Sequence, residues 1–293
     1  MNELSVLMPV FNCERYLDKA ICSIREQTFS DFAFVIVDDG STDKSPEIIA
    51  RHARDDKRIT VVQGLAKGVT HALNTGLAHC NSIYIARMDG DDISAPNRFQ
   101  RQLDVMSQFP DIGILGTTST LIDESDNEIG ELAYPLDHDQ IINKLLTFGC
   151  GLTHPSAMIR GSVMELLDRY ESSTGASQDF DLYLRASEIS RLANLNEPLL
   201  SYRIHNQSMG ATSSAAQARA KYHSLAAYNR RNQLPSDYLL NFAHQASWMT
   251  AEEGQGREAF GFAMQCIKHK PNSFLGYRSV ARSIYTMACG AGR

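Results

Sequence analysis

The chain has 293 residues, 43% of them hydrophobic and 21% charged, with a net charge of −6 at pH 7. That length suits one large or two small domains, and that composition suits an ordinary soluble globular protein. The negative balance argues against nucleic acid as a partner, and six cysteines with no C-x-x-C pair argue against a zinc site or a disulfide framework.

The N-terminus has no basic stretch before its first apolar run, and that run is short. Neither a signal peptide nor a transmembrane helix is expected, so the cytosol is the default compartment. Leu4 to Val10 reads as a buried strand that Pro9 should terminate, with Asn12 placed to cap the next helix. In that helix Leu17, Ile21 and Ile24 share one face. Phe32 to Val37 is apolar throughout, as a central parallel strand should be, and ends at Asp38-Asp39-Gly40-Ser41. Ser45 and Pro46 read as N-cap and first residue of a second helix. Ile59 to Val62 is a third strand, and a helix over Val69 to Cys80 leads to a fourth, Ile83 to Ala86. The alternation predicts a parallel sheet with right-handed crossovers.

The fourth strand runs into Arg87-Met88-Asp89-Gly90-Asp91-Asp92. Three carboxylates within four positions repel one another and lose hydration at the end of a buried strand. Protonation or a hard divalent cation relieves that. Gly90 admits close approach of a ligand to the backbone. Ligands of open α/β sheets collect at strand carboxyl ends, where both acidic clusters fall, so both should face one crevice. The stretch therefore reads as a metal and phosphate site; a solvated Asp-Gly turn is the alternative for an isolated Asp-x-Asp.

The second half reads as a helix over Pro96 to Gln108 and a hairpin, Ile112 to Ile122 with Ile129 to Tyr134, around a polar turn. A helix over Asp139 to Phe148 follows, then a loop with His154-Pro155, a strand Ser156 to Arg160 and a helix from Ser162. Ser172 to Ser177 is a loop of small polar residues, Asp179 opens a helix, and a strand Leu199 to Ile204 delivers His205. Beyond Gly210 the pattern is helical, with breaks at Leu234-Pro235, Gly254 to Gly256 and Pro271-Asn272.

Six stretches, in order, carry a family resemblance. They are Met8-Pro9-Val10-Phe11-Asn12, Val37-Asp38-Asp39-Gly40-Ser41-Thr42-Asp43, Lys67-Gly68 with Asn74-Thr75-Gly76, and Asp89-Gly90-Asp91-Asp92. The last two are Gln178-Asp179-Phe180-Asp181-Leu182-Tyr183-Leu184-Arg185 and Tyr202-Arg203-Ile204-His205. Together they resemble a family 2 glycosyltransferase with the GT-A fold, a Rossmann-like, mostly parallel sheet flanked by helices. The resemblance implies a catalytic domain over 1–210, with a nucleotide-binding half (1–98) and an acceptor half (99–210), followed by a helical accessory region (211–293).

The resemblance also implies roles. Phe11 would stack on the uracil of a UDP-sugar and Asp39 would bond the base edge. Asp89 would lie near the ribose and diphosphate, and Asp91, with Asp89 and His205, would hold Mn²⁺ or Mg²⁺. Asp179 would be the general base of an inverting transfer to a glycan or lipid-diphosphate-linked acceptor in bacterial surface polysaccharide synthesis. Pro9, Asn12, Asp38, Lys67, Asn74, Arg87, His154 and Arg203 would complete the nucleotide-sugar site. Each role has a plainer competitor: Asp179 as an N-cap, Phe11 as core, Arg87 as a charge offset, Lys67 as a surface lysine and His154 as a loop histidine. Two positions depart from the family's habit: Gln178 stands where a glutamate is common, and Leu73 where an arginine is common.

The chemistry asks for the same residue types. Charge develops on the leaving diphosphate, and the incoming hydroxyl needs a base within reach. No G-x-S-x-G elbow or activated-cysteine signature competes. A sugar-1-phosphate nucleotidyltransferase would need a glycine-rich N-terminal loop, and Met8 to Arg15 has no glycine. A non-catalytic nucleotide-sugar binder is the remaining alternative.

The tail has its own charge pattern. After Glu258 there is no Asp or Glu, while Lys268, Lys270, Arg278, Arg282 and Arg293 give +5 and leave −11 for the rest. Arg278 and Arg282 neighbour each other on a helix that also offers Phe274, Tyr277, Ala281, Ile284 and Tyr285. A basic amphipathic helix suits the inner, anionic face of a cell membrane. Packing of the same residues on the catalytic domain or in a homodimer is the other reading.

Overall fold

The computed structural model describes residues 2–172, 177–206 and 214–290, with Gly290 by its backbone alone. In the first half β1 (Leu4–Val10), α1 (Leu17–Arg25), β2 (Phe32–Asp38), α2 (Ser45–Asp55), β3 (Ile59–Gln63), α3 (Val69–Leu77) and β4 (Tyr84–Arg87) alternate. β1 lies between β2 and β4, parallel to both, and β3 pairs in parallel with β2. β1 is buried along its whole length, which is why it reads as an unbroken apolar run. β3 is an edge strand, and only Ile59 in it is buried.

The structure departs from three local expectations. Pro9 does not end β1, which continues to Val10. The Leu7 carbonyl accepts from Met88 on the β4 side, and the Val10 carbonyl accepts from Asp39 on the β2 side. Pro9 therefore faces the β4 side, beyond the last β1–β4 pair at Leu7 and Arg87, where no ladder bond is needed. Asn12 does not cap α1, whose N-cap is Tyr16; it takes φ +52° and reaches the loop after β2. Ser45 lies one position inside α2, and its amide donates to Asp43 Oδ1 (2.9 Å).

The second half holds β5 (Ile93–Ser94), α4 (Arg98–Gln108), β6 (Ile112–Ile122), β7 (Glu128–Leu132), α5 (His138–Phe148), β8 (Met158–Arg160), α6 (Gly161–Leu166), α7 (Gln178–Ala186) and β9 (Arg191–Arg203). β8 runs antiparallel between β4 and β6, joining the halves into one sheet of order β3-β2-β1-β4-β8-β6-β9-β5, with β7 on β6. β9 begins well before the expected Leu199, and it lies parallel to β6 through several register shifts. Its first stretch carries Asn194, Asn196, Glu197 and Pro198, a poor strand signature that pairing overrides. Most of the expected loop at Ser172 to Ser177 lies outside the described residues.

Apolar side chains fill both faces of the sheet. One cluster packs α1, α2 and α4 on β1 and β2, with Phe32 and Phe99 edge to face at 5.6 Å. The other joins β1, β2 and α3 to α5 and α7 and to the C-terminal helices. Those helices are α8 (Ala215–Asn232), α9 (Ser236–Glu252), α10 (Gly256–His269) and α11 (Phe274–Gly290), with breaks where the sequence places them. Phe180 of α7 stacks on Phe242 of α9 at 5.6 Å, both buried. Truncating such a buried phenylalanine costs roughly 3–5 kcal/mol. The helix that carries Asp179 is thus held by the C-terminal helices. Among the described residues no helix is long and apolar enough to cross a membrane.

Candidate active site

β4 ends at Arg87, opposite Leu7 of β1, and the chain turns into Asp89–Asp92 at the carboxyl edge of the sheet. Buried Arg98 pins this turn from below, donating to the carbonyls of Arg87 (3.2 Å) and Pro155 (2.8 Å). Ligand oxygens of Asp89, Asp91 and Asp92 lie within 4.8 Å of one another. Asp89 forms an ion pair with buried Arg87. Asp91 Oδ2 meets His205 Nε2 at 2.9 Å, which brings the residue after β9 to the residue after β4. Asp92 is buried; its Oδ1 accepts from the Arg203 amide (2.8 Å), and its Oδ2 has no partner among the described residues.

Electrostatics follow from that crowding. Burial, then the charges of Asp91 and Asp89, push the Asp92 carboxyl well above the usual carboxylate range. Burial also raises Asp89, with Arg87 opposing and Asp91 and Asp179 adding to the rise. The loop holds more negative charge than its protein partners compensate.

Arg203, expected among the nucleotide-sugar contacts, is instead a buried tie. Its guanidinium donates to the carbonyls of Asp91 (2.7 Å) and Asp123 (2.8 Å), pairs with Asp126 (2.6 Å) and lies over the Tyr16 ring at 4.5 Å. One side chain thereby joins the acidic loop, the β6–β7 turn and the end of β9.

Asp179 stands in the first turn of α7, inside the N-cap residue Ser177, so it is not the cap. Its Oδ1 accepts from the Phe180 amide (2.8 Å), at the positive end of the helix. Burial raises the hydroxyls of Tyr134, Tyr170 and Tyr183, and the Asp179 charge adds to each rise. Four side chains of this wall bury polar atoms that lack hydrogen-bond partners among the described residues. They are Arg87 Nε, Asp92 Oδ2, Gln178 Oε1 and Tyr183 Oη. Buried polar atoms are nearly always paired, so such orphans beside the acidic loop and Asp179 leave polar capacity that a ligand can meet.

At the other end of the crevice Phe11 is 58% exposed directly after β1, as a stacking platform would be and a core residue would not. Asn12 Oδ1 accepts from the Thr42 amide (2.8 Å), and Asp38 Oδ1 accepts from the Ser41 amide (3.0 Å). Asp39 is buried, with Oδ1 taking the Ala66 amide (2.9 Å) and Oδ2 the Gly68 amide (2.8 Å). Its carboxylate thus organises the 64–68 loop on which exposed Lys67 sits, and a contact to a base edge would have to share those oxygens. Pro9 is buried within β1.

Two expected contacts are spent elsewhere. Asn74 uses both atoms of its amide on the backbone of Tyr170 (2.8 and 3.1 Å), tying α3 to the segment before α7. His154 is buried against Tyr170 Oη (2.9 Å), and burial, then Arg87, holds its ring well below the usual histidine range. It is a neutral packing partner of the site wall. Gly64, where a Cβ would sit 2.5 Å from Asp39 Oδ1, and buried Arg98 and Tyr170 belong to none of the sequence motifs, and the motif that contains Asp92 implies no role for it.

A mostly parallel first half, an antiparallel extension and an acidic loop at the strand ends give the sheet the GT-A architecture. Residues 5–167 match the family model described as Glycosyl transferase family 2, and the chain belongs to that family. It is 35% identical over 246 residues to the O-antigen biosynthesis glycosyltransferase WbnJ of Escherichia coli, spanning 83% of this chain and 93% of that one. Among solved structures it resembles S. aureus TarS 1–349 in complex with UDP-GlcNAc, with TM-score 0.71 and 15% identity over 97% of this chain and 89% of that one. It also resembles the mannosyltransferase PcManGT of Pyrobaculum calidifontis in complex with GDP-Man and Mn²⁺, with TM-score 0.62 and 15% identity over 99% and 75%.

Proposed function

We propose that this glycosyltransferase moves a sugar, with inversion, from a UDP-sugar to a hydroxyl of a glycan or lipid-diphosphate-linked acceptor in bacterial surface polysaccharide synthesis. The observation that carries the reading is the convergence of Asp89, Asp91 and His205 on one edge of the crevice, with Asp179 close enough to raise Asp89. The relative named for O-antigen biosynthesis and the neighbour solved with UDP-GlcNAc support the substrate class.

The residues fit a divalent cation. Carboxylate oxygens and one imidazole are the donor set of Mn²⁺ or Mg²⁺, and the excess negative charge with an orphaned Asp92 oxygen asks for one. Asp91, Asp89 and His205 would hold it, and it would neutralise charge developing on the leaving diphosphate. Phe11 offers its exposed ring to the base. Asp179 takes the proton of the acceptor hydroxyl, whose oxygen attacks the anomeric carbon. The bond from that carbon to the diphosphate breaks, and its electron pair leaves with UDP. The thiol nearest the acidic loop, Cys13, is pushed up to about 12 by burial and by Asp91, so it is no nucleophile. Direct displacement needs none.

The test is acceptor-stimulated UDP release from a panel of UDP-sugars with Mn²⁺ or Mg²⁺, followed by determination of the product anomer. Release that no acceptor stimulates, or a product with retained configuration, contradicts the reading.

A further inference from the structure

The helix α11 is packed inside out. Its buried face is made of small residues: Ser279 and Ser283 are fully buried, Ser279 Oγ meets His244 Nδ1 at 2.6 Å, and Gly276 sits against Ile267. Four of its large apolar residues lie on the opposite side. Phe274 (77% exposed), Tyr277 (58%), Ile284 (51%) and Tyr285 (70%) fall within one stripe of about 100° at the helical repeat. Folding of this chain leaves that stripe in water, which is the unusual observation, because single exposed apolar residues are common but an aligned aromatic row is not.

The flank of the stripe is basic. Arg278 and Arg282 border it and lie over the Trp248 ring at 5.0 and 3.8 Å. Arg282 is paired with Glu252, and Lys270 with Asp237. Among the described residues, Lys268 and Arg278 have no carboxylate within 4 Å. From Ala259 to the end the sequence has no acidic residue, so charge around the stripe is positive in a chain that is negative overall. Two copies meeting through this stripe would bring two surfaces of the same positive sign together, an unfavourable like-charge contact. Aromatic rings beside unpaired cations match instead the boundary between lipid headgroups and acyl chains.

We propose that α11 docks the enzyme on an anionic bilayer surface, with Phe274, Tyr277, Ile284 and Tyr285 entering the headgroup layer and Lys268 and Arg278 meeting lipid phosphates. The experiment is flotation of the full chain with vesicles of equal parts phosphatidylcholine and phosphatidylglycerol, against vesicles of phosphatidylcholine alone. The anionic vesicles are expected to bind about tenfold more protein, and high salt to release part of it. Phe274→Ser with Tyr285→Ser should abolish binding while the circular-dichroism melting curve stays unchanged, since both side chains are solvent-facing. Arg278→Glu, made separately, should weaken binding several-fold. No binding to anionic vesicles, equal binding to neutral ones, or binding unaffected by these variants overturns the proposal. So does a homodimer in solution that the double variant dissolves.

Discussion

The loops after β2 and β4 begin from one sequence signal, adjacent aspartates at the end of a buried strand, and fold into opposite electrostatic situations. Asp38 and Asp39 direct their oxygens at the backbone amides of Ser41, Ala66 and Gly68. Asp89, Asp91 and Asp92 face one another, Arg87 and His205, and one oxygen of Asp92 is left over. A carboxylate surrounded by fixed N–H groups builds a loop. Carboxylates that face each other keep an unmet demand for positive charge, and that demand is what a binding site can use.

The largest test of this contrast removes a charge from the second loop. Asp91→Asn should lower acceptor-dependent UDP release by roughly 10³-fold and abolish the metal dependence of UDP binding measured by calorimetry. Chelation of wild-type protein with EDTA should do the same. Activity that survives both would place the metal demand elsewhere. Asp179→Asn should spare UDP binding and cost on the order of 10²–10⁴-fold in turnover. Near-normal turnover in that variant would mean that another group takes the proton.

Changes in the first loop should be milder and of another kind. Asp39→Ala leaves the Ala66 and Gly68 amides without their acceptor and opens a hole beneath Gly64. Stability should fall by roughly 1–3 kcal/mol in urea unfolding. The KM for the nucleotide-sugar should rise while kcat stays within a few-fold. A loss of kcat comparable to that of Asp179→Asn would erase the distinction between the loops.

How much of this is legible in the sequence depends on how local each cause is. The β-α alternation through β4 is legible, because buried parallel strands and one-sided helices such as α1 leave a periodic record. The first part of β9 is not, since Asn194, Glu197 and Pro198 become strand only by pairing with β6. The difference between the acidic loops is equally hidden. It is made by amides of Ala66 and Gly68, which lie 27 and 29 residues from Asp39. Arg203 shows the same limit. Its motif places it beside His205, yet burial and three separate carbonyl or carboxylate partners turn it into a structural tie.

Asp92→Asn touches charge and little else. In Asp92→Asn the side-chain oxygen can still accept from the Arg203 amide, and the volume hardly changes. The Asp92 carboxyl lies well above its ordinary value, so the fold favours the neutral form. Its contribution to stability is therefore fully present below the ordinary carboxylate value of about 4 and is lost as pH rises through the higher folded value. Metal-free protein in EDTA should accordingly lose stability with rising pH, and Asp92→Asn should flatten that loss. At neutral pH the variant should be more stable than wild type by about 1 kcal/mol in urea unfolding. Added Mn²⁺ should shrink the gap by stabilising the wild type more. The matching change in the first loop, Asp38→Asn, has no such repulsion to relieve and should not stabilise. If Asp92→Asn destabilises at neutral pH without metal, the Asp89–Asp92 loop is already balanced by its protein partners, and the two loops are alike after all.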